Sequence, residues 1–235
     1  TGGSDGIGRA LIESLLPMGA KIATCARNQD KLYDLQLRHS TSPLHCIVAD
    51  VSNYNDCKLF IDSTIKQFGG IDILINNAGI SMRALLKDAE LEVFRKVMDI
   101  NYFGTVYCTK LALNSLIERK GTIVGVTSIA GYRGLPGRSG YSASKFGLVG
   151  LTTALSAEVA ARGVLVNSGN ANACTGPRGE TDAARCETPP VGYADLKNDV
   201  VFRKVFGQHP RVLVIDSVQT LHTATLEASP GSVGQ

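Results

Sequence analysis

TGGSDGIGRALIESLLPMGAKIATCA, residues 1–26, reads as a glycine-rich turn, then a helical run, then an apolar strand. Gly2, Gly6 and Gly8 allow a tight turn and a close approach of the backbone to a bound group. The helix that opens at Gly6 offers unpaired N–H groups and a partial positive charge at its first turn, which together suit a pyrophosphate. The spacing, G-x-x-x-G-x-G, differs from the commoner dinucleotide fingerprint.

The same alternation continues downstream. Strand-like runs lie at 21–26, 44–49, 71–75 and 122–127, and helical patterns at 6–18, 29–38, 54–68, 88–119 and 142–160. The strands are continuously apolar, as expected where helices cover both faces of a parallel sheet. That pattern is an α/β doubly wound fold. The chain has 235 residues with 44% hydrophobic content, enough to bury a core, and a net charge of +3 that favours no charged partner. No basic block suggests nucleic acid, and no apolar run has membrane-spanning length. The six cysteines (25, 46, 57, 108, 174 and 186) and four histidines (39, 45, 209 and 222) show no metal-ligand spacing, so no metal is expected. Unpaired cysteines and the absence of a leader pattern point to a cytoplasmic protein.

Tyr141 and Lys145 stand four residues apart in YSASK, thirteen residues after Ser128. On a helix these positions share a face, so the ammonium lies one turn from the phenol. A phenol beside a cation gives or takes a proton more readily near neutral pH, as carbonyl reduction or alcohol oxidation requires. Ser128 closes the strand-like VGVTS and so sits at a strand's carboxyl end, where open α/β sheets bind ligands.

Asp50-Val51 follows LHCIVA, Asn76-Asn77-Ala78-Gly79 follows IDILI, and Asn101 lies within the helical stretch VFRKVMDINYFGTVYCTKLAL. With the glycine turn, the serine and YSASK, these pieces closely resemble the short-chain dehydrogenase/reductase family over residues 1–160. The resemblance implies a Rossmann fold, with Tyr141 as general acid/base and Lys145 holding the nicotinamide ribose while acting on the tyrosine. Ser128 would bond the substrate oxygen, and Asn101 would position a water in the proton relay. Gly2, Ser4, Asp5, Gly6, Ile7 and Gly8 would wrap the pyrophosphate. Asp50 and Val51 would meet the adenine, and Asn77, Ala78 and Gly79 would line the ribose and nicotinamide side. The implied partner is a small-molecule ketone or secondary alcohol. The segments 79–86 and 131–140, a mixture of apolar and small residues, would line its pocket and suit a hydrophobic carbonyl compound. The family further implies a homodimer through the helices at 88–119 and 142–160.

The cofactor form is read from the end of KIATCA. Binders of unphosphorylated dinucleotides usually carry an Asp or Glu there for the ribose 2′-OH. This chain has Ala26 followed by Arg27, whose planar fork suits a 2′-phosphate. NADP(H) is expected over NAD(H), with Ser4 adding a hydroxyl contact.

The chain also departs from the family. It begins inside the glycine turn, where the family has a central strand just before it, so it reads as truncated at the first strand. The neighbouring strands are then expected to face each other across a slot. After residue 160 the pattern changes. Residues 163–186 resemble a piece of the bifunctional ornithine acetyltransferase family, 195–210 the opening of a transposase-like nuclease, and 211–235 the second ATPase motif of a RecA-like repair protein. No G-x-x-x-x-G-K-[ST] accompanies Asp216, so ATPase chemistry is not expected. The tail 161–235 reads as a composite, in which 163–167 keeps a place in the sheet and 211–216 is a candidate to fill the slot or the place of the family's last strand. The rival functional reading is an inactive chain that at most binds dinucleotide.

Overall fold

The computed structural model describes residues 1–163 and, by its backbone, the strand at 165–169. Among the described residues the strands are β1 (Ile22–Ala26), β2 (Leu44–Val48), β3 (Ile73–Asn76), β4 (Thr122–Val126) and β5 (Leu165–Gly169). β1 pairs with β2, and β4 lies between β3 and β5; every pairing is parallel. The sequence run 163–167 does take a sheet position, two residues later than expected, with Leu165 opposite Thr122. Residues 164 and 170–235 lie outside the described residues. The expectations for the nuclease-like and RecA-like pieces, Asp216 and the run 211–216 fall there.

Among the described residues the expected division of the sheet is present. β1 and β3 share no ladder. Thr1–Gly3 runs between their carboxyl ends and bonds to both. The amides of Gly2 and Gly3 donate to the Cys25 carbonyl at 2.9 and 3.3 Å. The Thr1 amine donates to the Ile75 carbonyl at 2.8 Å.

The helices are α1 (Gly6–Leu15), α2 (Gln29–Arg38), α3 (Tyr54–Phe68), α4 (Leu91–Met98), α5 (Gly104–Glu118) and α6 (Ser139–Val159). Their ends are set by local chemistry. The Asn28 side chain accepts from the Lys31 amide to start α2, and Asn53 accepts from the amides of Asn55 and Asp56 to start α3. The helical run expected to reach residue 18 leaves the α-helix at Leu15 and tightens into a 3₁₀ turn at Leu16–Met18. Pro17 has no N–H to continue the α ladder.

Alternation along the strands distributes the helices. Ile22, Leu44 and Cys46 pack with Ile12 of α1, Leu16 of the 3₁₀ turn that follows it and Leu35 of α2. Their neighbours Ala23, Cys25 and Ile47 pack with Cys57, Phe60 and Ile61 of α3 and Cys108, Ala112 and Leu116 of α5. Leu74, Ile123 and the end of α6 at Leu155 and Val159 extend that cluster. This is the doubly wound arrangement expected from the uninterrupted apolar strands. No helix among the described residues is long and apolar enough to cross a membrane.

One expected element is divided. Instead of a single helix over 88–119, α4 and α5 are joined by a π-type turn at Asp99–Phe103, which contains Asn101. The Thr105 hydroxyl donates to the Asn101 carbonyl at 3.1 Å across this wide turn. Single π-turns within α-helices cluster at functional positions.

Leu116 is fully buried where α5 joins the core, and the Arg119–Asp72 ion pair beside it is exposed. Leu116→Ala is expected to lower unfolding free energy by about 2–5 kcal/mol in a urea titration. Asp72→Asn should leave the midpoint almost unchanged. A small loss for the leucine would mean the α5 seam is loosely packed.

Candidate active site

The glycine turn is closed by packing as much as by backbone conformation. A Cβ on Gly8 would lie 2.2 Å from the Gly2 carbonyl oxygen, and one on Gly3 would lie 1.9 Å from Thr24 Oγ1. Both positions exclude a side chain. Gly3 was not singled out by the glycine spacing, because its reason lies in β1 rather than in the turn. Gly6 is different: its φ is +51°, and open space lies where a Cβ would be. Asp5 caps α1, accepting from the Gly6 amide at 2.8 Å, and forms an ion pair with Lys31. The Lys31 hydrogen bond, followed by that of Gly6, holds the Asp5 carboxyl below its usual range. The first turn of α1 carries no acidic residue. An open-sided glycine at a helix start thus fits a pyrophosphate, with Ser4 and Ile7 half-buried beside it.

The segment after β3 is stitched to this turn. Thr1 Oγ1 accepts from the amides of Asn77 and Ala78 at 3.1 and 3.0 Å. The Asn77 amide group donates to the carbonyl of Thr1 at 3.0 Å and, at 3.4 Å, to that of Gly2. Asn77, expected to line the ribose, therefore has its side-chain nitrogen engaged with the turn. After β2, Asp50 accepts from the Ser52 amide and hydroxyl at 2.9 and 2.7 Å. Arg27 approaches the other Asp50 oxygen at 3.9 Å, with its side chain largely exposed. Val51 is buried against Gly104, where a Cβ would meet Val51 Cγ2 at 2.9 Å.

The remaining predicted residues meet at the start of α6. Lys145 is 4% exposed. Its ammonium donates to the Val126 carbonyl at 2.7 Å and lies 5.8 Å from the centre of the Tyr141 ring. Burial pushes the Lys145 ammonium down from its ordinary value of 10.5 to about 8. Ser128 stands two residues beyond Val126 and accepts from the Ala130 amide at 3.2 Å, capping a short 3₁₀ turn at Ile129–Gly131. Its hydroxyl proton is left to donate elsewhere. Gly131 presses on α6, since its Cβ would lie 2.9 Å from the Lys145 carbonyl oxygen.

Asn101 is fully buried. Its side-chain oxygen accepts from the Ile80 amide at 2.8 Å, and its nitrogen donates to the Ile80 carbonyl at 2.9 Å. The same nitrogen donates at 3.0 Å to Ser144 Oγ, which donates in turn to the Tyr141 carbonyl at 2.7 Å. Ser144 was not among the predicted site residues. Its place inside YSASK was legible, but its partner on a distant π-turn was not. Gly79 completes the cluster: a Cβ there would lie 3.2 Å from Asn101 Oδ1 and 3.7 Å from Lys145 Nζ. The turn at 1–8, the Asn77–Gly79 segment, Asn101 and Lys145 are thus physically linked. Ser128 has no hydrogen bond to Tyr141 among the described residues. No group of three or more His, Cys, Asp or Glu residues there could hold a metal ion.

The profile of the family described as short chain dehydrogenase matches residues 1–183. That match runs beyond residue 160, the point where the sequence pattern alone was read as ending. The Dehydrogenase/reductase SDR family protein 7-like of Anopheles gambiae is 39% identical over 168 residues, covering 68% of this chain and 53% of the relative. The 3-oxoacyl-[acyl-carrier-protein] reductase of Synechocystis is 35% identical over 172 residues, covering 72% of this chain and 70% of the relative. The chain therefore spans about half the length of the mosquito relative. A crystal structure of gluconate 5-dehydrogenase from Burkholderia cenocepacia, in complex with NADP and tartrate, superposes with a TM-score of 0.67. It is 30% identical, and the match covers 72% of this chain and 68% of that one.

The buried ammonium makes a pH-dependent prediction. The unfolded chain keeps the Lys145 proton up to about pH 10.5, whereas the folded chain releases it near pH 8. Between these values the unfolded state binds more protons, so stability rises with pH. The contribution is complete above 10.5 and lost as pH falls through 8. Urea titrations of wild type and Lys145→Met from pH 7 to 10.5 should diverge by up to about 3 kcal/mol in favour of the wild type as pH rises. Parallel curves would mean that Lys145 is hydrated in the fold.

Proposed function

The chain belongs to the short-chain dehydrogenase family, and we propose that it transfers a hydride between NADP(H) and a ketone or secondary alcohol. The observation that carries this reading is the buried Lys145 ammonium, held by the Val126 carbonyl at 2.7 Å and 5.8 Å from the Tyr141 ring centre. With the ammonium's acidity near pH 8, most of these lysines carry charge at neutral pH. That charge stabilises negative charge on the phenol oxygen as it gives up a proton.

In the reducing direction Tyr141 donates its hydroxyl proton to the carbonyl oxygen of the substrate, and in the oxidising direction it takes that proton back. Ser128 donates a hydrogen bond to the same oxygen, using the proton that its cap to Ala130 leaves free. Lys145 binds the ribose hydroxyls through the donors not used on Val126. Asn101 holds the Ile80 backbone with its side chain and orders a water for proton resupply near Lys145. The bound nicotinamide supplies or accepts the hydride.

Gly2, Ser4, Asp5, Gly6, Ile7 and Gly8 form the pyrophosphate side of the proposed site. Asp50 and Val51 take the adenine end, and Asn77, Ala78 and Gly79 lie between. Arg27 is the proposed selector of the phosphorylated cofactor, because no acidic side chain precedes it and its guanidinium is largely exposed beside Asp50. The reading includes a cytoplasmic homodimer built through α5 and α6. Phe103, immediately before α5, and Phe146 of α6 are exposed, consistent with that surface.

Two variants test the reading. Tyr141→Phe should lower turnover by about 10²–10⁴-fold, with dinucleotide affinity by calorimetry close to wild type. Arg27→Ala should weaken NADPH binding by about 10–100-fold while changing NADH affinity little. Equal losses for both cofactors would assign Arg27 to the Asp50 loop instead of a 2′-phosphate.

A further inference from the structure

Arg138 is the arginine whose surroundings the fold does not explain. Arg9, Arg27, Arg38, Arg95 and Arg119 each lie within 4.0 Å of a carboxylate. Among the described residues Arg83, Arg133, Arg138 and Arg162 have no such partner, and all but Arg138 are exposed as ordinary solvated side chains. Arg138 is half-buried, immediately before α6. Its guanidinium carbon lies 6.0 Å from the centre of the Tyr141 ring. One of its nitrogens donates to Ser81 Oγ at 2.5 Å.

That contact fixes the guanidinium between two segments. Ser81 follows Ile80, which Asn101 holds by both backbone groups. The Ala84 amide donates to the Gly137 carbonyl at 2.9 Å, closing the same seam one residue before Arg138. A guanidinium has five N–H donors, and Ser81 is the only side-chain acceptor that Arg138 has among the described residues. Partial burial, an anchored position and unused donors beside the phenol make a receptor for an anion. Two resonance-equivalent oxygens match the guanidinium fork.

We propose that Arg138 is a specificity-determining residue that binds an oxyanion, carboxylate or phosphate, on the substrate. This rests on the oxidoreductase reading above. It makes the substrate class an oxo acid or its hydroxy counterpart, or a phosphorylated ketone or alcohol. It also revises the expectation of a purely hydrophobic carbonyl compound, which came from the apolar and small residues of 79–86 and 131–140.

The test compares matched substrate pairs on the purified full chain with NADPH. One arm sets 3-oxo carboxylic acids against their methyl esters, and the other sets ketone phosphates against the corresponding dephosphorylated compounds. The wild type is expected to prefer the anionic member of at least one pair by about tenfold or more in kcat/KM. The preferred arm identifies the oxyanion. Arg138→Gln should bring that preference close to one, mainly through KM for the anion, and Arg138→Lys should keep part of it.

The ratio is read within each variant, so a general loss of activity does not imitate the result. Two outcomes overturn the proposal: a wild type that treats charged and neutral members alike, or an Arg138→Gln variant that keeps the preference while kcat falls for both. The second would instead make Arg138 a positioning residue for Tyr141. NADPH titration of the same preparations separates the two readings. Absence of dinucleotide binding sinks the oxidoreductase reading and this one with it, whereas binding and turnover without charge preference sinks this one alone.

Discussion

The residues Thr1–Gly3 hold together what the strands alone do not. β1–β2 and β3–β4–β5 are separate ladders, and this short run reaches both, through the carbonyls of Cys25 on one side and Ile75 on the other. It also sets the height of the glycine turn against the Asn77–Ala78 backbone. Backbone donors and acceptors at the ends of two buried strands must find partners, and leaving one unmade costs about 1–3 kcal/mol. Here those partners belong to the turn that starts α1. The proposed cofactor cradle and the cohesion of the sheet are therefore one set of hydrogen bonds. The helices α3 and α5 reinforce it by spanning both ladders through one apolar cluster.

The opposite end of the site is organised around a cation removed from water. Burying the Lys145 ammonium is unfavourable, and its lowered pKa expresses that cost. The Val126 carbonyl compensates in part, and the geometry it dictates directs the ammonium towards Tyr141. Asn101 and Ser144 add rigidity from the side: a buried amide ties the Ile80 segment to the turn of α6 that carries the tyrosine. Each of these groups has a partner, so the polar cluster is an ordered part of the core.

Much of this was legible in the sequence. Period-two burial cannot be read from strands that are apolar throughout, yet their spacing and the intervening helical runs gave the layer order. The positions of Tyr141 and Lys145 followed from helix periodicity, and Ser128 from its place after an apolar strand. Three features were hidden. Gly3 owes its identity to Thr24, a tertiary contact. Ser144 owes its role to Asn101, forty-three residues away. Arg138 looked like any loop arginine until its burial and its lack of a carboxylate partner were set beside the other arginines. The turn at Asp99–Phe103 belongs to the same class, because the helical pattern over 88–119 continues through it with no proline to mark a break.

That turn also limits how the gene can change. A π-turn carries one residue more than an α-helical turn, and one residue corresponds to about 100° of rotation. Deleting a codon within 99–103 would restore a smooth helix locally. Because the wide turn absorbs its extra residue, α5 would keep its facing, with Thr105, Cys108, Ala112 and Leu116 still directed inward. What depends on the irregularity is the place of Asn101, whose amide bonds Ile80 and Ser144. A single-codon deletion in this stretch would thus spare the core and strike the polar cluster, by shifting Asn101 against the Ile80 backbone and Ser144.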